Sequence, residues 1–321
     1  MISSPLRVVF MGTPEFAVAA LRAVLDAGYT VPLVVTVPDR PQGRGRSLHP
    51  SPVKQLAVER GIAVAQPERL KDPGFLETLR AARADVICVV AFRILPPEVF
   101  TIPRLGSFNL HASLLPRYRG AAPINRAIMA GERESGVTTF FLQRSVDTGS
   151  VILQRSVPIG GDTTAGELHD TLMELGADVV VETLRLIERG ETRPTVQDDA
   201  LATPAPKIFR DDCRIDWSRS VREIVDMVRG LSPLPAAFTE LRGAIFKIRR
   251  ARAADLPLND PPGSIHIEGS RMFVRAGDGA VELLEVQAEG RRSMPAEEFL
   301  RGFTLHTGER CGSSIQDITS T

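Results

Sequence analysis

The sequence predicts an α/β domain with a mostly parallel sheet, followed by a smaller β-rich domain that could close into a barrel. Three observations carry this. Strand and helix signals alternate through the first half of the chain, and Asp85 to Phe92 is apolar almost throughout, as in a strand covered on both faces. Beyond residue 206 the alternation gives way to closely spaced short strands. At 321 residues the chain is also too long for the usual single core.

Taken in order, Leu6 to Met11 is an apolar run that stops at Gly12. Pro14 opens a helical stretch with Phe16, Ala20, Leu21, Val24 and Leu25 on one face, and Gly28 closes it before the apolar run Val31 to Val37. Ser51-Pro52 and Asp72-Pro73 are helix starts, because Ser or Asp caps the end while proline fits the first turn. Gly61 stops the first of these helices. Thr164 and Glu167 have capping-box spacing ahead of a long helix ending near Gly190. Residues 191–206 are polar and proline-rich and read as a linker between domains spanning 1–190 and 207–321. In the second domain, 236–242, 244–250, 271–275 and 280–287 are strand candidates, the last two flanking an Asp278-Gly279 turn, with helices near 218–229 and 294–301.

Charge excludes an unaided electrostatic grip on nucleic acid: Lys and Arg total 39, as do Asp and Glu, so any such partner must meet a local patch. Three scattered cysteines fit a reducing compartment and exclude a zinc knuckle. No cationic leader with an apolar core opens the chain, and no apolar run approaches membrane-helix length. A cytoplasmic protein with no membrane partner is expected.

In Phe108-Asn109-Leu110-His111 polar and apolar residues alternate, so Asn109 and His111 share one face of a strand. They fall near its C-terminal end, where open α/β sheets bind ligands. Asp147-Thr148-Gly149 adds a carboxylate, although this tripeptide is also ordinary turn chemistry. Taken singly, each segment fits a plain strand or turn. Together, amide, imidazole and carboxylate suit attack of an amine on a formyl carbon. The tetrahedral intermediate carries an oxyanion that Asn or a protonated His can meet with a donor. The amine must lose a proton, which His or a carboxylate can accept. No metal is required, and His49, His169, His266 and His306 are dispersed without ligand spacing. There is no Gly-x-Ser-x-Gly elbow and no Walker A motif, and Gly43-Arg44-Gly45 lacks the third glycine of a dinucleotide fingerprint.

At these residues the chain resembles the folate-dependent formyltransferases. The resemblance rests on Asn109-Leu-His111-Ala-Ser-Leu-Leu-Pro116-Arg-Tyr-Arg-Gly-Ala-Ala-Pro-Ile124, on Gly136-Val-Thr138 and on Asp147-Thr-Gly149. Phe10-Met-Gly-Thr-Pro-Glu-Phe16, Pro38-Asp-Arg-Pro-Gln-Gly-Arg-Gly45, Ser51-Pro-Val-Lys54 and Arg214-Ile-Asp-Trp217 extend it over nearly the whole chain, toward the branch that acts on aminoacyl-tRNA. It implies a Rossmann-like formyl-transfer domain followed by an OB-like β-barrel that binds tRNA. It implies Asn109, His111 and Asp147 as catalytic residues and Ser113, Leu114, Leu115 and Pro116 as a folate-contacting loop. The donor would be 10-formyltetrahydrofolate, without metal. The acceptor would be the methionine of initiator methionyl-tRNA, formylated for translation initiation and reached through the 38–50 loop with Arg40, Arg44 and Arg46. A monomer is expected.

Two segments depart from the family pattern: Ala91-Phe-Arg93 replaces Ala-Tyr-Gly, and Ser232-Pro-Leu-Pro235 replaces Asn-Pro-Trp-Pro. A second basic group, Lys247, Arg249, Arg250 and Arg252, would split between the two faces of a strand. Two alternatives stay open on the residues alone: a formyltransferase for a small amine, and a catalytically silent RNA-binding protein on the same fold.

Overall fold

A computed structural model describes residues 6–42, 47–257 and 259–312. The chain divides into two compact units, one of 1–123, 134–157 and 169–205, the other of 124–133, 158–168 and 206–321.

Through the first unit run β1 (Arg7–Gly12), α1 (Glu15–Asp26), β2 (Thr30–Val35), β3 (Arg40–Gln42), β4 (Ser47–His49), α2 (Pro52–Glu59), β5 (Val64–Ala65), α3 (Pro73–Ala81), β6 (Val86–Val90), α4 (Pro97–Phe100), β7 (Ser107–His111), β8 (Arg119–Gly120), α5 (Pro123–Met129), β9 (Glu134–Phe141), β10 (Val151–Pro158), α6 (Ala165–Arg189) and β11 (Pro204–Ala205), three of which reach into the stretches assigned to the second. The main sheet has the order β10-β9-β7-β6-β1-β2-β5. Its pairs β1–β2, β1–β6, β2–β5 and β6–β7 are parallel, and β9 joins β7 antiparallel. The expected helix starts act as capping chemistry dictates. Ser51 accepts a bond from Lys54 N and Asp72 from Phe75 N, each with proline in the first turn. Thr164 and Glu167 exchange the reciprocal bonds of a capping box. All five residues of β6 are buried, and one face of the sheet packs Val9, Met11, Ile87 and Val89 under Phe75 and Leu79 of α3.

Residues 191–206, expected as a linker, behave differently. Thr195 bridges to Val151, and Pro204 and Ala205 pair in parallel with Arg119 and Gly120. The stretch up to Ala205 therefore packs as part of the first unit. Its composition leaves few apolar side chains to bury, but its backbone pairs with β8, which has no other strand neighbour among the described residues. Gly120 makes the pairing possible: it sits at φ +126°, and a Cβ there would lie 2.6 Å from the Ala205 carbonyl.

The second unit holds α7 (Val221–Leu231), β12 (Ala237–Leu241), β13 (Ala244–Ala254), β14 (Ile265–Glu268), β15 (Arg271–Arg275), β16 (Ala280–Ala288), β17 (Met294–Pro295) and α8 (Ala296–Gly302). Its sheet runs β12-β13-β16-β15-β14, with β17 on β16. The tail closes it: Cys311 bridges to Leu241 beside β12 and Arg310 to Ser264 beside β14. Edge groups on both sides are thereby paired, around a core that includes Trp217, Phe246, Met272, Leu283 and Phe299.

Glu282, buried on β16, accepts from Arg271 at 2.7 and 2.8 Å and from Arg252 at 2.8 Å. The Arg271 hydrogen bonds, assisted by Arg252 and opposed by burial, hold its carboxyl down at about 2. An unfolded glutamate titrates near about 4.3. The stabilisation is thus fully present above that value and is lost as pH falls toward the folded value. Glu282→Gln should cost about 1 kcal/mol at neutral pH, since both arginines are half exposed. Its melting temperature should also fall less steeply than wild type on acidification from pH about 5 to about 2. Parallel acid-melting curves would remove Glu282 from this role.

Candidate active site

On β7, Phe108 and Leu110 face the interior, and Leu110 sits against Gly176 of α6, where a Cβ would crowd its side chain. Strand alternation therefore turns Asn109 and His111 to the opposite face. They lie where β7 ends, at the C-terminal edge shared by the parallel strands. Asn109 is opposite Val89 on β6 and Phe140 on β9, and its Oδ1 is buried with no hydrogen-bond partner among the described residues.

His111 is 7% exposed, and its Nε2 lies 2.8 Å from the Tyr118 carbonyl. A carbonyl only accepts, so Nε2 carries a proton and donates it. That leaves Nδ1 as the nitrogen available for chemistry. It lies 3.9 Å from Asp147 Oδ2, beyond a direct hydrogen bond but within strong Coulomb range. Asp147 Oδ2 also accepts from Gly120 N at 2.9 Å. Its backbone is left-handed, at φ 54°, a conformation costly for a non-glycine residue. Two residues on, a Cβ at Gly149 would collide with the Phe141 carbonyl, so the turn returns to β9 only with glycine there.

The 113–116 loop is tied down from behind. Thr138 Oγ1 donates to Ser113 O at 2.6 Å and accepts from Leu115 N and Gln154 Nε2. Gln154 also donates to Leu115 O, and the Ser113 hydroxyl to Arg117 O. Ser113 and Leu115 are buried, so their side chains serve the scaffold. Leu114 and Pro116 are partly exposed.

Of the three loop arginines, Arg40 is exposed on β3, while Arg44 and Arg46 lie outside the described residues. The loop's stems form a hairpin, with Arg40 opposite His49 and Gln42 opposite Ser47. Its base is fixed by Lys54, which donates to Asp39 at 2.6 Å and Gln66 at 2.8 Å, while Gln66 donates to Asp39 Oδ1 and Val37 O. The Lys54 and Gln66 bonds hold the Asp39 carboxyl below its usual range. The hairpin follows β2, which is parallel to β7 through the sheet, so it stands at the same edge as His111.

The second basic group is largely committed elsewhere. Arg250 pairs with Glu167, Arg252 with Glu282, and Arg249 donates to Gln287 and Pro233 O. Arg93, one departure from the family pattern, stacks on Phe92 and donates to Pro67 O and Glu68 O. Leu234, in the other, is exposed. Sequence reasoning missed Gln197, whose buried amide hydrogen-bonds the Asp147 turn; its polar, proline-rich surroundings carried no local signal. Among the described residues no cluster of His, Cys, Asp and Glu could hold a metal ion, and no helix is long and apolar enough to cross a membrane.

Residues 6–184 match the formyl transferase family, and residues 207–304 match the formyl transferase C-terminal domain. The chain is 54% identical over 304 residues to the methionyl-tRNA formyltransferase of Chlorobium luteolum, spanning 93% of this chain and 97% of that one. It is 50% identical to the methionyl-tRNA formyltransferase of Parabacteroides distasonis, over 94% and 97% of the two chains. Among solved structures, an N-formyltransferase from Helicobacter canadensis, in complex with folinic acid and dTDP-3-aminofucose, superposes with a TM-score of 0.65 at 19% identity, covering 88% of this chain and 99% of that one. At that identity it shows the shared fold.

Proposed function

The chain belongs to the formyl transferase family, among the methionyl-tRNA formyltransferases, and we propose from that premise that it moves the formyl group of 10-formyltetrahydrofolate to the amino group of initiator methionyl-tRNA. The observation that carries the reading is His111 Nδ1 3.9 Å from Asp147 Oδ2 at the sheet edge, with Asn109 on the same strand face and its carbonyl oxygen buried and without a partner among the described residues. A buried acceptor with no donor suits a ligand that brings an N–H, as an attacking amine does.

When bound, the folate supplies a formyl carbon activated by its attachment to nitrogen. Asn109 orients the reacting groups through its amide, which can also donate to a developing oxyanion. His111 is held by Nε2 on the Tyr118 carbonyl, so Nδ1 takes the proton that the amine loses on forming its bond to the formyl carbon, and can return it to the folate nitrogen as the bond from that nitrogen to the formyl carbon breaks. The Asp147 carboxylate stabilises the positive charge that results. Leu114 and Pro116 offer apolar surface for the folate beside these groups.

For the acceptor, the β3–β4 hairpin with Arg40, Arg44 and Arg46 is our candidate for contact with the tRNA backbone. Its base is pre-organised by Asp39, Lys54 and Gln66, and its place at the active edge lets a tRNA end reach His111. A small-amine substrate would not need a basic hairpin at this edge.

The test is formylation of methionyl initiator tRNA against free methionine and small amines, with Arg44→Leu in parallel. Wild type should formylate the tRNA alone. Arg44→Leu should lose tRNA affinity and flatten its salt dependence while keeping folate affinity. Efficient formylation of free amines would overturn the tRNA assignment. Wild-type efficiency and salt response in Arg44→Leu would remove the hairpin from it.

A further inference from the structure

We propose that Gln197 is a positioning residue for the reaction, the centre of a clasp in which residues 195–205 set the distance between His111 and Asp147. The proposal rests on the catalytic reading of Asp147 given above. Gln197 Nε2 donates to Asp147 O at 2.9 Å and to Gly149 O at 2.7 Å. Its Oε1 accepts from Arg119 Nε at 3.1 Å and Nη2 at 2.8 Å. The orientation of this amide follows from chemistry. A guanidinium can only donate, so the atom facing Arg119 is oxygen; the two turn carbonyls can only accept, so the atom facing them is nitrogen. Every contact is satisfied in one orientation and violated in the other.

The same segment grips the other half of the pair. Thr203 Oγ1 accepts from Tyr118 N, Thr203 O accepts from Arg119 N, and Ala205 pairs with Gly120. Tyr118 O is the partner of His111 Nε2, and Gly120 N is the partner of Asp147 Oδ2. One short segment therefore fixes the backbone that orients the imidazole and the backbone that orients the carboxylate. Asp147 needs such support, since its left-handed backbone at φ 54° is intrinsically unfavourable. On the outer side Arg119 also pairs with Asp199, which is 80% exposed, so that pair contributes little. The Gln197 amide is buried, and it links Arg119 to the turn.

Gln197→Glu gives the sharpest test. It keeps size and an acceptor for Arg119, so the segment stays docked. It removes both donors and sets an oxygen against two carbonyls. We expect kcat to fall roughly 10- to 100-fold, the scale for displacing a catalytic group by a fraction of an ångström to one ångström. KM for folate and for tRNA should stay within about twofold, because Gln197 is buried and its amide is fully committed to Arg119 and the Asp147 turn. Rates are counted per folate-binding site, titrated with 5-formyltetrahydrofolate, so loss of folded protein is separated from loss of turnover. Gln197→Ala serves as the second variant. In an Asp147→Asn background either change should add less than about threefold, since the two act on one element. A kcat per site within twofold of wild type, or factors that multiply in the double variant, would overturn the clasp while leaving Asp147 in place. Full activity in Asp147→Asn alone would instead overturn the catalytic reading, and the clasp with it.

Discussion

Replacing His111 by alanine is expected to cut turnover by roughly two to four orders of magnitude, the usual scale for a positioned acid–base group. The geometry allows no substitute. Nε2 is committed to the Tyr118 carbonyl, so proton transfer falls to Nδ1, 3.9 Å from Asp147. Asp147 is a poor replacement, since its Oδ2 is already held by Gly120 N and an ordinary carboxylate is too weak a base for the proton an amine loses. Folding should survive. The variant strands one partly buried carbonyl at a cost of about 1–3 kcal/mol, against roughly 5–15 kcal/mol for a typical domain. Folate affinity should be close to normal, because the 113–116 loop is held by Thr138 and Gln154 rather than by His111. Single-turnover formylation, with melting temperature and folate titration on the same sample, separates the cases. A folded, folate-binding variant with near-normal turnover would end the acid–base assignment.

What the sequence made legible follows from the range of the interactions involved. The starts of α2, α3 and α6 were readable because Ser51, Asp72 and the Thr164–Glu167 box act within a few residues of themselves. The buried strand β6 was readable because a strand covered on both faces needs apolar residues at every position. Strands β10 and β14 were not. The first lies at the end of the sheet with only one of its eight residues buried, and Ile265–Glu268 gains its pairing from β15 and the tail at Glu309 and Arg310. The 191–206 stretch failed for the same reason: its composition is that of a linker, while its partners Arg119, Gly120 and Val151 are remote in sequence.

The candidate site shows the same division. Asn109 and His111 could be placed on one face by strand alternation alone. The approach of His111 to Asp147 could not, since it depends on β9 pairing with β7 and on a left-handed turn supported by Gln197. The charges of β13 were visible as a cluster, but their availability was not. Arg250 and Arg252 are engaged by Glu167 and Glu282, so the strand offers fewer cations to a polyanion than its sequence suggests.

Asn109→Ala is expected to separate activity from stability in a way no packing residue would. Its Oδ1 is buried without a partner, and such an acceptor costs the folded state about 1–3 kcal/mol until a ligand supplies a donor. Removing the amide lifts that cost, so the melting temperature of the free enzyme should hold or rise. Turnover should fall by roughly two to three orders of magnitude, the scale for losing one preorganised hydrogen-bonding group at a reacting centre. Asn109→Asp sharpens the reading, because it keeps the shape and an acceptor but loses the amide donor. If the donor serves the oxyanion, Asp should be as inactive as Ala. If only the acceptor matters, Asp should recover much of the rate. Melting curves and kcat for both variants decide the matter. A large drop in melting temperature, with turnover per folded molecule unchanged, would make Asn109 a packing residue and leave His111 and Asp147 to orient the formyl group without it.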